Sequence, residues 1–321
     1  IIGTRHFAFD IAGFVTKSNR HQFVACYNQT KTKAEKFASV YGGKVYDTVE
    51  ALLKDPNVDG IYIATTADQH AHYATLAIEA KKAVLVEKPF GVNAEQTRQI
   101  YQLAHDRGVY LSEAMWTWYN DIAITVKTWI KEKRIGEITK VKITFGMPIV
   151  NFQPHSRLTD AKRCGGALMD IGVYPLHYIY ELFGEPTSID TDGYTDQGVD
   201  YHSKTRLHYP GFSVIMRVAM DRYLGERLVV VGEEGKIVVP FFHMAAKAIL
   251  KSKGTRLVIK NPAGKMGQLY VPQFDRVAEE IRQGKIQSDY VTPASTIATM
   301  GFIDQCRKSL KVYYRNEEKE Y

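Results

Sequence analysis

Over the first 114 or so residues, short apolar runs alternate with stripes of apolar residues at helical spacing. Phe23 to Cys26, Val58 to Ala64, Ala83 to Val86 and Val109 to Leu111 have strand length and are apolar on both faces, as in a buried parallel sheet. Between them, Ala34, Phe37, Ala38 and Tyr41 mark one helical stripe, ended by Gly42-Gly43, and Ala71, Ala74, Ala77 and Ile78 mark another. Strands alternating with helices predict a doubly wound α/β domain with right-handed crossovers, which presents its ligand at the carboxyl ends of the strands.

After Trp116 the pattern changes. A helix is predicted from Asp121 to Lys133, then an alternating strand from Ile138 to Phe145 reached through Gly136, then a helix that opens on a glycine pair and runs to Phe183. From Thr187 to Ile259 the chain is rich in β-branched residues and broken by glycines, which suits a meandering antiparallel sheet. Helices from Gln273 to Arg282 and from Pro293 to Lys308 close it. The expected division is a nucleotide-binding α/β domain over 1–118 and a substrate-binding α+β domain over 119–321.

Composition changes this picture little. At 321 residues and 45% hydrophobic composition the chain can bury two cores. Its three cysteines, Cys26, Cys164 and Cys306, lack metal-ligand spacing and fit a reducing compartment, with the cytoplasm as the default. No apolar run is long enough to span a bilayer, so no membrane partner is expected. The chain opens inside a strand without an initiating Met, and further residues upstream of Ile1 are expected. The formal net charge of +7 is spread among acids, without aromatic-basic interleaving. That favours a solvated surface over a nucleic-acid interface, and the positive field suits a phosphorylated ligand.

Two short words carry the chemistry. Glu87-Lys88-Pro89 puts an ammonium just beyond the strand Ala83 to Val86, where a doubly wound sheet presents its ligand site. The second, Gly165-Gly166-Ala167-Leu168-Met169-Asp170-Ile171-Gly172-Val173-Tyr174, sets Asp170 and Tyr174 four residues apart, on one helix face. A phenol has an ordinary pKa near 10 and needs its anion favoured to act as a base near pH 7. An ammonium about 4 Å away supplies roughly 4 kcal/mol at an effective dielectric of 20 and only about 1 in bulk water, so Lys88 suffices only in a water-poor cleft. Bland roles stand beside these: a strand-end ion pair for Lys88, packing with Tyr178 and Tyr180 for Tyr174. Asp170, in an apolar helix, needs a partner or a function.

The strand-borne Glu-Lys-Pro, preceded by Ile61-Tyr62-Ile63-Ala64-Thr65-Thr66-Ala67-Asp68-Gln69-His70 and followed by Ser112-Glu113-Ala114-Met115-Trp116-Thr117, resembles the glucose-fructose oxidoreductase, inositol dehydrogenase and MocA family. Asp-Ile-Gly-Val-Tyr-Pro-Leu after the glycine pair, with Arg157-Leu158 upstream, is similar to the tyrosine branch of that family, which contains dimeric dihydrodiol dehydrogenase and NADP-dependent xylose dehydrogenase. The resemblance implies a Rossmann domain, an open-faced mixed sheet that pairs with a second subunit, and a homodimer. It also implies hydride transfer between a nicotinamide and a small-molecule substrate. Tyr174 would exchange the proton, Lys88 would polarise the reacting oxygen and touch the nicotinamide ribose, Asp170 would orient the pair or accept a substrate hydrogen bond, and Pro89 would follow a cis bond.

For the cofactor, the resemblance points to Gly3, Thr4, Arg5, His6 and Phe7 after the first strand, to Asn28 and Gln29 after the second, to Thr65, Thr66 and His70 near the nicotinamide, and to Glu87 and Lys88. Arg5 stands where the dinucleotide fingerprint has its second glycine. Its Cβ obstructs a pyrophosphate, while its guanidinium can answer a phosphate. Tyr27-Asn28-Gln29-Thr30 lacks the carboxylate that would repel a 2′-phosphate, and Lys31 or Lys33 adds charge, so NADP(H) is favoured with NAD(H) as the alternative. Thr66 or Asp68 also suits a helix cap, and His70 a surface turn. His70 and His72 lie two apart on a helix and point to different faces, so no metal site is expected. Trp116, Trp118, His155, Arg157 and His177 are the candidate substrate contacts, the aromatic ones suiting the apolar face of a sugar, polyol or cyclic diol. The expectation is an NAD(P)-dependent dehydrogenase acting on a secondary alcohol or carbonyl, with a non-catalytic dinucleotide sensor as the alternative.

Overall fold

The computed structural model describes residues 1–4, 6–18, 20–153, 156–261 and 269–314; the side chains of His6 and Ser18 also lie outside that description. The chain divides into two compact units. The first comprises residues 1–91, 95–119 and 265–297, and the second 92–94, 120–264 and 298–321. The return of residues 265–297 to the first unit is not foreshadowed by a linear division of the sequence near residue 118.

In the first unit, helices α1 (His6–Val15), α2 (Lys31–Tyr41), α3 (Val49–Leu53), α4 (Ala67–Glu79) and α5 (Ala94–Arg107) alternate with strands β1 (Ala25–Cys26), β2 (Lys44–Val45), β3 (Gly60–Ile63), β4 (Ala83–Val86) and β5 (Leu111–Glu113). All strand pairings here are parallel: β1 with β2, β3 with β4 and β4 with β5. The opening residues join the two groups, because Ile2 bridges Tyr27 on one side and Ile63 on the other. Its amide donates to Tyr62 O at 2.9 Å, and its carbonyl accepts from Ala64 N at 2.8 Å. The chain therefore runs outward to β1 and β2 and then returns across Ile2 to β3, β4 and β5. That reversal is the topological switch point at which such sheets bind ligands. Ile2, Ile61, Ile63 and Ile78 are almost fully buried at the centre of the core, each contributing roughly 1.5–3 kcal/mol.

The fifth strand is displaced from its expected place. The apolar run Val109 to Leu111 predicts its centre, yet pairing covers Leu111–Glu113. The polar Ser112 and Glu113 are buried in the sheet because their side chains find partners there, Tyr119 for one and Thr296 for the other. Hydropathy alone hides such residues.

The second unit holds α6 (Asp121–Lys131), β6 (Ile138–Gly146), α7 (Ile149–Phe152), α8 (Val173–Phe183) and strands β7 (Ser188–Asp196), β8 (Val199–Tyr209), β9 (Phe212–Ala219), β10 (Gly225–Gly232), β11 (Gly235–Pro240), β12 (Lys247–Ser252) and β13 (Thr255–Lys260). Its eight strands form one sheet in the order β13-β12-β11-β10-β6-β9-β8-β7. Every neighbouring pair is antiparallel except β6 with β9. The expected α/β arrangement, a doubly wound parallel sheet followed by a mainly antiparallel one, is the one observed. Two helices complete the chain: α9 (Val271–Arg282) in the first unit and α10 (Pro293–Ser309), within which the division falls between residues 297 and 298.

Candidate active site

The carboxyl edge of the parallel sheet begins at Gly3, which has φ +91°. A Cβ there would sit 2.6 Å from Ala64 O and 2.9 Å from Thr65 N, so only glycine allows the opening segment through Ile2 to run this close to the end of β3. Helix α1 opens three residues later, and its first amides lack partners within the helix. With the helix dipole they form a seat for an anion. Thr4, buried beside this turn, accepts a hydrogen bond from Asn28 Nδ2 at 3.1 Å, while Asn28 Oδ1 accepts from Thr30 N at 2.9 Å. Asn28 thereby ties the loop after β1 to the turn after Ile2. Gln29 Nε2 donates to the Tyr73 hydroxyl at 3.3 Å, and Lys31 pairs with Asp47 at 2.7 Å. The switch-point turn, the helix start and a loop with no carboxylate at Tyr27 to Thr30 fit a dinucleotide diphosphate. Arg5 lies outside the described residues, as does the side chain of His6.

His70 is 1% exposed and is no surface residue. Its Nδ1 donates to Pro89 O at 2.9 Å, with Nε2 3.4 Å from Thr65 O, so the ring links the start of α4 to the turn after β4. Thr66 precedes α4 as its N-cap without a side-chain cap bond. The Lys88-Pro89 bond is cis, as the resemblance implied. Glu87 is buried; it accepts the Tyr62 hydroxyl, and its Oε2 accepts the Lys88 amide at 3.2 Å. From β5, Glu113 reaches the same turn: Oε1 accepts Phe90 N at 3.1 Å and Oε2 accepts the Thr296 hydroxyl at 3.1 Å. Burial pushes the Glu113 carboxyl up to about 8, with Glu87 adding to the rise and Lys88 opposing it. Lys88 is half-buried at the centre of this scaffold.

Trp116 and Trp118 lie in a single 3-10 turn, Trp116–Tyr119, and both are buried. Trp116 packs on Tyr270 with ring centroids 4.5 Å apart, and Tyr270 also meets Phe7 at 5.9 Å and Phe14 at 6.1 Å. Tyr270 belongs to the returning segment and carried no signal in the sequence.

In the second unit the glycine pair is shaped by protein, since a Cβ on Gly165 would lie 2.5 Å from Leu158 O. Residues Leu168–Gly172 form a π-turn that passes into α8. The uniform α-helix expected between Asp170 and Tyr174 therefore begins in a turn widened by one residue, a local form frequent at functional sites. Asp170 is paired: Arg157 Nη2 donates to its Oδ1 at 2.6 Å, which supplies the partner its apolar setting demands. Tyr174 is 6% exposed, and its ring neighbours are Phe145 at 6.2 Å and His243 at 5.4 Å. His243 stacks on Phe145 at 4.6 Å, and its Nδ1 lies 2.6 Å from Glu226 Oε1, which also accepts the His243 amide at 2.8 Å. Neither His243 nor Glu226 was singled out from sequence.

His177 is fully buried on α8, with Nδ1 3.4 Å from the Thr299 hydroxyl and Nε2 4.0 Å from Glu181 Oε1. Burial pushes its imidazole down to about 4, so near pH 7 it is neutral. Its neighbours here are protein groups on α8 and α10. His155 lies outside the described residues. Among the described residues no cluster of His, Cys, Asp or Glu could hold a metal, and no helix is long and apolar enough to cross a membrane.

Comparison with known proteins agrees with both units. A family model described as an oxidoreductase family with an NAD-binding Rossmann fold matches residues 1–115, and the C-terminal domain model of the same family matches residues 123–238. The pig trans-1,2-dihydrobenzene-1,2-diol dehydrogenase (Sus scrofa) is 29% identical over 314 residues, covering 94% of this chain and 92% of its own. The rabbit enzyme of that name (Oryctolagus cuniculus) is 36% identical over 197 residues, 60% of this chain and 59% of its own. Among solved structures, a 3-ketoreductase from Actinomadura kijaniata in complex with NADP and TDP-benzene superposes with a TM-score of 0.83 at 21% identity, over 96% of each chain. An aldose-aldose oxidoreductase from Caulobacter crescentus complexed with glycerol gives a TM-score of 0.85 at 19% identity, over 97% of this chain and 96% of that one. With two models of one family matching most of its length, and a switch-point turn suited to the dinucleotide, the chain belongs to the Gfo/Idh/MocA family of NAD(P)-dependent oxidoreductases.

Proposed function

We propose that this oxidoreductase acts on a secondary alcohol or carbonyl of a small polyhydroxylated molecule, a sugar, polyol or cyclic diol, with NADP(H) preferred to NAD(H). The observation that carries this reading is the place of Lys88. Lys88 stands two residues beyond β4, on the carboxyl edge that also presents Gly3 and Thr65, in a turn anchored by Glu87, His70 and Glu113. Bound NADP(H), held by the Gly3 turn, the start of α1 and the Asn28–Gln29 loop, would supply the hydride donor or acceptor. Lys88 Nζ stabilises negative character on the substrate oxygen, and Tyr174 Oη exchanges the proton with it. Arg157 fixes Asp170, which orients the pair or accepts a hydrogen bond from the substrate. The related enzymes named for a dihydrodiol and an aldose support the substrate class. The absence of a carboxylate after β1 supports the phosphorylated cofactor. A cytoplasmic homodimer, paired through the eight-stranded sheet, completes the reading.

The test is direct. NADPH binding is followed by nicotinamide fluorescence, and turnover by absorbance against a panel of sugars, polyols and cyclic diols. Binding with turnover of at least one member is expected. Saturable binding with no turnover across the panel would make the chain a dinucleotide sensor.

A further inference from the structure

The start of the helix that carries Asp170 and Tyr174 rests on a carboxylate that the proposed chemistry does not use. Asp200, the second residue of β8, is fully buried. Its Oδ2 accepts the Leu168 amide at 2.8 Å, and the Ala167 amide also bonds to the carboxylate. Its Oδ1 occupies the space of a side chain that is missing, since a Cβ on Gly166 would lie 2.3 Å from it. Gly166 has φ +116°, so glycine is required there for both space and conformation. Oδ1 has no hydrogen-bond partner among the described residues. On the neighbouring glycine, the Tyr314 hydroxyl donates to Gly165 O at 2.5 Å, with the Arg307 guanidinium 4.4 Å above the Tyr314 ring.

We propose that Asp200 is a positioning residue for the reaction: reached through the missing Cβ of Gly166, its carboxylate fixes where the π-turn begins and so sets the angle at which Asp170 and Tyr174 are presented. The inference rests on the reading of Tyr174 and Asp170 as reacting groups. A residue kept for stability alone would be better neutral here, because a buried carboxylate with one oxygen unpartnered costs desolvation. Burial pushes the Asp200 carboxyl up to about 6 against the hydrogen bonds from Leu168 and Ala167 and the charge of Arg307. Near pH 8 it is therefore an anion held in the interior at a cost to the fold. Such a cost is characteristic of groups retained for function.

That trade gives the test. In the full chain at pH 8, Asp200→Asn keeps the shape and removes the charge. kcat is expected to fall by about tenfold, the equivalent of about 1.4 kcal/mol, while KM and the NADPH dissociation constant stay within about threefold and Tm stays level or rises. Tyr314→Phe, which releases the Gly165 carbonyl, is expected to lower kcat severalfold in the same pattern, and it decides the matter if the Asn variant does not fold. Unchanged kcat in both variants would overturn the inference, as would a loss of kcat that tracks a large fall in Tm. A fully active Tyr174→Phe, or a wild type that turns over no member of the panel, would instead bring down the reading of the site, and this inference with it.

Discussion

An ammonium two residues beyond a strand end is worth little in water and several kcal/mol in a water-poor cleft, so Lys88 gives the sharpest test of the chemistry. Lys88→Met is expected to lower turnover by about a hundredfold or more, as loss of a preorganised electrostatic group does. NADPH affinity should change by less than about tenfold, since one contact is a small part of the total. Near-normal turnover by steady-state assay would remove Lys88 from the reaction. Tyr174→Phe keeps the packing against Phe145 and His243 but deletes the exchangeable proton. Activity should fall by roughly a hundredfold, and the pH–rate profile should lose its main ionisation. A retained profile would reassign the proton, with His243 the first candidate because its ring lies 5.4 Å from that of Tyr174. These two residues were legible because each sits in a short word with a fixed local consequence. Glu113, Asp200, Glu226, His243 and Tyr270 were not, because each acts on a group far away in the chain. Asp200 reaches Leu168 across 32 residues, and Thr296 reaches Glu113 across 183. His177, named from sequence only as a candidate substrate contact, is buried on α8 with Nδ1 3.4 Å from the Thr299 hydroxyl.

At the scale of elements, alternation of apolar runs and helical stripes marked β1, β3, β4, β5, α2 and α4, the β6 strand and the antiparallel region, but not α1, α3, α5 or β2, nor the polar interior. The end of β5 shows the cost of that blindness and offers a measurement. Glu113, with an ordinary carboxyl pKa of 4.5, is raised to about 8 in the fold. Between those values the folded state holds a proton that the unfolded state has lost. Linkage then makes stability fall as pH rises through that window, by up to about 1.4 kcal/mol per unit, and leaves the loss constant above about 8. Glu113→Gln keeps an acceptor for Phe90 N and removes the ionisation. Thermal melts at pH 7 and pH 9 should therefore show a smaller drop in Tm for the variant than for the wild type. Equal drops would mean that Glu113 is already ionised at neutral pH. The π-turn was illegible for a related reason. A glycine pair announces freedom of the backbone, but the use of that freedom depends on Leu158, which crowds Gly165, and on Asp200, which fills the place of the Gly166 side chain.

At the scale of the whole molecule, the eight-stranded sheet has two unlike faces, and their difference bears on assembly. One cross-strand row, Met216, Ile143, Leu228 and Val239, is fully buried. The row on the opposite face runs through Ile215, Lys142, Val229, Val238, Ile249 and Val258, paired strand by strand from β9 to β13. Its five apolar members are β-branched and only partly buried, and Lys142 is exposed. Val229, Val238, Ile249 and Val258, in register across the four strands β10 to β13, form a continuous apolar band rather than scattered surface positions, and such bands mark interaction surfaces. A homodimer formed face to face would cover the band on both copies with one symmetric contact, the commonest way a soluble chain closes its assembly. Sedimentation at micromolar concentration is therefore expected to give twice the mass of the chain. Val238 lies mid-band, flanked by Val229 and Ile249. Val238→Lys should shift the protein to a monomer without moving NADPH affinity by more than about twofold, because the Gly3 turn and the loop after β1 belong to the other unit. A wild type that sediments as a monomer would show that the band is tolerated in water and that the implied dimer does not form. A variant that stays dimeric would place the interface elsewhere on the molecule.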